Sequence, residues 1–312
     1  MVGSWDGRMG CTECLAGSGF DDIDGGYSMM KVLVAAKCGF CPGVRNAIST
    51  AEKILTEAES KEPVYSLGPV IHNKDEVERL RKAGLQTVDS VDEMDSGTVL
   101  IRSHGVAPSE LDRLKQQGFH IVDATCVLVK RLQQIVTQLE AEGYEVVIIG
   151  EENHPEVQGV VGCVRDVVVV AGEDDLHKLP RDGKLGIVCQ TTQSPERLGR
   201  MLGAIGRGSF RELKVINTLC KEAIKRQESA IELCQQVDVM FVLGGLHSAN
   251  TRRLADLCKK YNEATFHLQN WDELDKNVLF GKKVAGVTAG ASTPNWVIEE
   301  FVKHLEGFGE HQ

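Results

Sequence analysis

Cys41 lies within Cys38-Gly-Phe-Cys-Pro-Gly-Val44, between an apolar run at 31–36 and an amphipathic stretch at 44–58. Glycines and a proline between such segments read as strand, tight turn, helix. A cysteine there meets free backbone N–H groups and the positive end of the helix dipole, which favour thiolate over thiol. A thiolate is a metal ligand or a nucleophile, although cysteine can equally be a small buried hydrophobe. Two more cysteines repeat the setting: Asp123-Ala-Thr-Cys126 and Asn217-Thr-Leu-Cys220 each follow an apolar run and lead into a helical stretch.

The elements that must position these thiols form a repeat. From Cys41 the chain passes through a helix and a strand to Gly68-Pro-Val-Ile-His-Asn73. From Cys126 it reaches Gly150-Glu-Glu-Asn-His-Pro155 in the same way, and from Cys220 it reaches Gly244-Gly-Leu-His-Ser-Ala-Asn250. The cysteine-to-histidine spacings are 31, 28 and 27 residues. Each repeat has a further strand ending in a polar turn, at Ser103-His104, Thr191-Thr192 and Ala291-Ser292.

Strands are expected at 31–35, 64–67, 98–101, 120–122, 145–149, 167–170, 185–188, 213–216, 239–243, 265–268 and 283–287. Helices are expected at 44–58, 75–82, 109–117, 129–142, 195–205, 221–234, 251–261 and 293–305. The alternation predicts an α/β fold of three pseudo-repeated βα units with mainly parallel sheets. The units are expected at 30–126, 127–217 and 218–312, after a loose extension at 1–29. Ligand sites in open α/β sheets lie beyond the carboxyl ends of the strands. Three such edges facing one another would gather three cysteines at a centre and ring them with His, Ser, Thr and Asn.

With 42% hydrophobic and 26% charged residues, the chain has the balance of a globular protein. A net charge of −10 weighs against nucleic acid or an anionic membrane as a partner. No apolar run approaches the ~20 residues of a membrane span. The segment 1–29 is rich in Gly and Asp and lacks the apolar core of a signal peptide, so a cytoplasmic setting is expected. Met29 and Met30 stand directly before the first strand and would also serve as a later start. The ten cysteines should then be reduced thiols. Cys163, Cys189, Cys234 and Cys258 lie in apolar patterns and are expected in the core.

Three converging thiolates suit a soft metal. A structural zinc site would require a fourth protein ligand. A 4Fe–4S cluster on three cysteines leaves one iron without a protein thiolate. A ring of neutral donors and helix N-termini suits a phosphate. Cys11-x-x-Cys14 with Cys38-x-x-Cys41 has the look of a zinc ribbon, but the gap of twenty-three residues is long. A dithiol at Cys38/Cys41 would leave Cys126 and Cys220 unexplained. The alternative to an enzyme is a non-redox protein with structural zinc that binds a phosphorylated metabolite.

Gly39-Phe-Cys-Pro-Gly-Val44, Val70-Ile-His-Asn73, Ser103-His-Gly-Val106, Asp123-Ala-Thr-Cys126, His154-Pro-Glu-Val157, Gln190-Thr-Thr192, Asn217-Thr-Leu-Cys220, Ser248-Ala-Asn250 and Thr288-Ala-Gly-Ala-Ser292 stand in this order. Together they resemble the 4-hydroxy-3-methylbut-2-enyl diphosphate reductase (IspH/LytB) family, over Met30 to about Leu305. The resemblance implies a three-lobed α/β fold around one 4Fe–4S cluster held by Cys41, Cys126 and Cys220. It implies reductive loss of the substrate's hydroxyl, giving isopentenyl and dimethylallyl diphosphate plus water. Electrons would come from a donor such as ferredoxin or flavodoxin. Glu156 would supply protons, and His154 and Thr191 would line the site and relay them. His72, His104, Ser248, Asn250 and Ser292 would hold the diphosphate. For Glu156 the plain alternative is a solvated carboxylate at a helix start.

The chain departs from the family pattern at Val127, where Pro is usual, and at Ala249, where some members have a second Ser. Cys38 is expected beside the cluster rather than on it, and His247 behind the ligand positions. Glu151 and Glu152 are expected in solvent. His120, His177, His267, His304 and His311 belong to no motif and should be superficial or internally satisfied.

Overall fold

The computed structural model describes residues 30–57, 62–246 and 248–308. The extension expected at 1–29, with Cys11 and Cys14, lies outside the described residues, as do His247 and His311. The chain begins with β1 (Lys31–Val34), α1 (Pro42–Glu57), β2 (Val64–Leu67), α2 (Lys74–Lys82) and β3 (Leu85–Val88). It continues through β4 (Thr98–Ile101), α3 (Pro108–Gln116), β5 (His120–Asp123), α4 (Val127–Ala141), β6 (Glu145–Ile149) and α5 (Pro155–Val161). Next come β7 (Val167–Val170), β8 (Lys184–Cys189), α6 (Pro195–Ile205), β9 (Glu212–Val215) and α7 (Lys221–Cys234). The last are β10 (Val239–Leu243), α8 (Ala249–Lys259), β11 (Thr265–Leu268), β12 (Val284–Ala289) and α9 (Asn295–Glu306).

The strands form three four-stranded sheets with one shared plan, in the orders β3-β2-β4-β5, β7-β6-β8-β9 and β11-β10-β12-β1. Every ladder between them is parallel. The repeat seen in the sequence is therefore present in the fold, with a different phase. By sequence order β1 opens the first unit, but its hydrogen bonds go to β12, from Lys31↔Val284 to Val34↔Val287. It fills in the third sheet the place that β5 and β9 fill in the other two.

Each central strand is buried on both faces, as expected where helices cover both sides of a parallel sheet. In β10, Val239, Phe241 and Leu243 face α9 through Ile298, Phe301 and Leu305. Met240 and Val242 face α7 and α8 through Leu233, Leu254 and Cys258. The helix after each cysteine packs on the next sheet rather than the one it leaves. Ala47, Ile48 and Ala51 of α1 join Val64 and Leu100 of the β2–β4 sheet. Leu132, Val136 and Leu139 of α4 join Val146 and Ile148 of β6. Each fully buried Leu, Ile or Val contributes roughly 1.5–3 kcal/mol. These faces therefore fix where every helix starts, and with it the cysteine at its head. Among the described residues no helix is long and apolar enough to cross a membrane.

Candidate active site

Each cysteine stands at a crossing between two sheets, after the edge strand of one and before the helix of the next. Cys126 and Cys220 are the N-caps of α4 and α7, and Cys41 directly precedes α1. The same two backbone bonds hold all three. The Cys41, Cys126 and Cys220 N–H groups donate to the Ala291, Ser103 and Thr191 carbonyls at 3.3, 3.0 and 2.8 Å. Their own carbonyls accept the first helical bonds, from Arg45, Lys130 and Ile224. Burial holds the Cys126 thiol above its usual range, against the pull of the Leu128 and Val129 N–H groups. Binding a metal there would displace a proton.

Strands β2, β6 and β10 lead to His72, to His154 with Glu156, and to Ser248 with Asn250; β4, β8 and β12 lead to His104, Thr191 and Ser292. All eleven residues proposed from the sequence line one cavity that opens to solvent. Cys38 is not among the lining residues; it packs into the core behind the cavity, where burial pushes its thiol up to about 11.

Glu156 is 2% exposed, so it is not a solvated helix-start carboxylate. Its Oε1 accepts from the Thr191 N–H at 2.7 Å and its Oε2 from the Thr191 hydroxyl at 2.8 Å. Burial raises its pKa despite those two bonds, which favours the proton-bearing acid. His154 caps α5, its Nδ1 accepting from the Glu156 N–H at 3.1 Å. That bond leaves Nε2 to carry the ring hydrogen.

The rings of His72, His104 and His154 lie 4.9, 6.0 and 5.6 Å apart. Burial first, then nearby charge, keeps them neutral: His72 is lowered by burial and Arg102, His104 is well below the usual range and His154 falls to about 4, the last two also repelled by His72. His104 Nδ1 is buried without a hydrogen-bond partner among the described residues. One nitrogen from each ring lies within 4.8 Å of the others, a set that could grip a cation or turn its hydrogens to an anion. The surroundings favour the anion. Ser248 caps α8, accepting from the Thr251 N–H at 3.3 Å, so the positive end of that helix points at the cavity. The half-buried Arg102 adds a cation beside His72 and His104, with its Nε unpartnered among the described residues.

The donor set fits the expected iron–sulfur group: three thiols share the cavity and the fourth nearby, Cys38, faces away. A Cβ on Gly43 would stand 3.0 Å from Cys126 Sγ and 3.9 Å from Cys41 Sγ, so glycine keeps open the space between two of the sulfurs. Sequence reasoning gave Gly43 and Arg226 no role, and Ser103 only its place in a polar turn, yet all three line the cavity. It also placed Glu151 in solvent, whereas the half-buried Arg253 of α8 binds Glu151 and ties the third unit to the second. Glu152 is exposed as expected. His120, His177 and His304 are superficial, and His267 bonds to the Gly244 carbonyl at 3.0 Å.

The LytB protein family matches residues 32–306. A Trichlorobacter lovleyi protein named 4-hydroxy-3-methylbut-2-enyl diphosphate reductase is 43% identical over 279 residues, which is 89% of this chain and 98% of the relative. An Aquifex aeolicus protein of the same name is 41% identical over 91% of this chain and 99% of its own. A solved structure of (E)-4-hydroxy-3-methyl-but-2-enyl diphosphate reductase, described as the terminal enzyme of the non-mevalonate pathway, is similar with a TM-score of 0.68. It is 42% identical and covers 89% of this chain and 99% of that one. A Plasmodium falciparum reductase structure reaches a TM-score of 0.81 at 26% identity, over 88% of this chain and 87% of that one.

Proposed function

The chain belongs to the LytB protein family, and we propose that the cavity between its three sheets is where it reduces its substrate. The activity is that of the relatives: a reductase of 4-hydroxy-3-methylbut-2-enyl diphosphate, the terminal enzyme of the non-mevalonate route. The zinc-bearing binding protein considered from the sequence gives way to it, because the relatives are reductases over nearly their whole length. In atoms and electrons the reaction removes a hydroxyl: two electrons and two protons enter, water leaves, and isopentenyl or dimethylallyl diphosphate remains.

In this reading Cys41, Cys126 and Cys220 hold one 4Fe–4S cluster. When bound, the cluster supplies electrons and Lewis acidity. The electrons come from a small carrier such as ferredoxin or flavodoxin, in the cytoplasm, where the thiols stay reduced. His72, His104, Ser248, Asn250 and Ser292 hold the diphosphate. Neutral imidazoles donate N–H to it, and its charge offsets the cost of protonating them. The substrate's hydroxyl end then faces Glu156, Thr191 and His154.

The observation that carries the reading is the carboxyl of Glu156, buried in the same cavity as the three thiols and held by both donors of Thr191. A departing hydroxyl needs a proton, and a positioned acid contributes about 10²–10⁴-fold in rate. The Thr191 hydroxyl can rotate to accept from an amide, so Glu156→Gln fits the same place and lacks only the transferable proton. Glu156→Gln is expected to load iron and bind substrate normally, and to turn over at least about a hundredfold more slowly. An anaerobic kcat within a few-fold of wild type would remove Glu156 from the proton path.

A further inference from the structure

Arg226 is 5% exposed, lines the cavity and forms no ion pair among the described residues. The carboxylate one turn before it, Glu222, pairs with Lys37 at 3.1 Å and with Lys225 at 3.8 Å. The guanidinium instead donates to three carbonyls: Ala289 at 2.8 Å, Gly39 at 2.7 Å and Lys37 at 3.4 Å. Ala289 ends β12, and Lys37 and Gly39 belong to the loop that delivers Cys41. That loop is the longest of the three approaches. Six residues, 35–40, separate β1 from Cys41, whereas two, 124–125, separate β5 from Cys126. A longer approach needs a brace, and the planar fork of arginine can span two chain segments.

The fold alone does not ask for a cation here. The positions six residues after Cys41 and Cys126 are Ala47 and Leu132, both fully buried and apolar. In the third unit the same place holds a charge whose burial is costly unless an anion answers it. Burial pulls the guanidinium below the usual arginine range, and Cys38, Cys41, Glu222 and Cys220 lie close enough to pull it back when ionised.

We propose that Arg226 is the positioning residue of the metal end of the site, bracing the Cys41 loop and offsetting the negative charge of the cysteine thiolates that hold the cluster. The proposal rests on the iron–sulfur reading of the cavity. Reduction adds negative charge to such a group, so a buried cation beside it favours the reduced state and raises its potential.

The test uses anaerobically loaded full-length protein with Arg226→Gln and Arg226→Lys. Midpoint potentials are measured by redox titration, and iron loss to a chelator is followed over time. Arg226→Gln should shift the potential to more negative values and lose iron several-fold faster. Arg226→Lys should keep the potential near wild type and still lose iron faster, because an ammonium cannot brace two segments at once. A folded Arg226→Gln with wild-type potential would overturn the charge role. If Arg226→Gln fails to fold, Arg226→Lys decides, and iron retention equal to wild type overturns the proposal. Wild-type protein that takes up no iron would sink the reading of the cavity and this proposal with it, whereas iron-loaded but indistinguishable variants sink only the latter.

Discussion

His72, His104 and His154 are crowded enough that one proton among them is costly, and this makes their protonation a reporter of what the cavity binds. In the unfolded chain each titrates near 6.5, whereas in the fold His154 holds out to about 4 and His104 lies well below its usual range. Below pH 6.5 the unfolded chain therefore binds more protons than the folded one, and stability falls as pH drops. Glu156 acts with the opposite sign. Its raised pKa gives stability that is full below its ordinary value of 4.5 and lost as pH rises, so it offsets part of the effect of three histidines. The melting temperature of the cluster-free protein should fall steadily from pH 6.5 to pH 5, before the acidic surface groups titrate. His154→Asn, which keeps a cap for α5, should flatten the slope, and inorganic pyrophosphate should bind more tightly as pH falls through this window. A melting temperature independent of pH there would mean that the rings already carry protons in the fold. The three histidines were legible because each stands in a motif with its neighbours. Arg102, Arg226 and Arg253 were not, because an arginine inside a helix or at a strand end looks the same locally whether it meets solvent or a buried partner.

At the scale of elements, the heads of α1 and α8 separate structural from functional roles. Ser248 both caps α8 and faces the cavity, whereas Asn250 lies inside the first turn and its side chain makes no cap. Ser248→Ala should lower stability by about 1 kcal/mol and raise KM together. Asn250→Ala should leave the melting temperature unchanged and raise KM roughly tenfold or more, the size expected for a lost hydrogen bond to a charged group. Equal melting shifts in the two would dissolve that distinction. Gly43→Ala opposes the two quantities more sharply. Alanine is the better helix former by about 1 kcal/mol in a helix interior, a gain that offsets the contact of its methyl with Cys126, so the metal-free protein should melt near the wild-type temperature. Yet the new methyl would press on Cys126 Sγ at 3.0 Å, so iron uptake should drop severalfold on anaerobic reconstitution. Full iron uptake would show that the sulfurs do not use that space. Helices α6 and α7 were readable to the residue, and α1, α2, α3, α4, α8 and α9 to within two residues at each end. Two short elements were not. β3 carries polar Gln86 and Thr87 at a sheet edge, where only half of an alternating pattern is buried. α5 is seven residues long with a glycine within it, too short to show a period, yet it carries Glu156.

Across the whole molecule, the repeat was legible in the spacing of its cysteines, but its phase was not, because only strand pairing reveals which sheet an element joins. The three sheets share the order outer, His- or Ser-bearing strand, second-turn strand, cysteine strand. In two of them those strands follow one another in the chain; in the third, β1 comes from the opposite end of it. If the sheets are the true units, chain order should matter less than sheet membership. Met30 and Phe308 already pack in one core cluster, under α9 and beside the paired strands β1 and β12. A short Gly/Ser linker should therefore join residue 308 to residue 30 with little strain. Opening the chain between 57 and 62, after α1, would then make each sheet contiguous in sequence, with β1 and Cys41 following β12 as β5 and Cys126 follow β4. The permuted protein is expected to fold, take up iron to the wild-type level under anaerobic reconstitution and reduce substrate within a few-fold of wild type. Loop-closure entropy changes only slowly with connection length, so stability should move by about 1 kcal/mol rather than collapse. The decisive comparison is with a second permutant opened between β10 and β11, inside a unit, joined by the same linker. If both permutants fold and load iron equally well, the sheets are not the units of the molecule. If only the cut between units is tolerated, the cysteines are held by three parts that each form their own edge of the site.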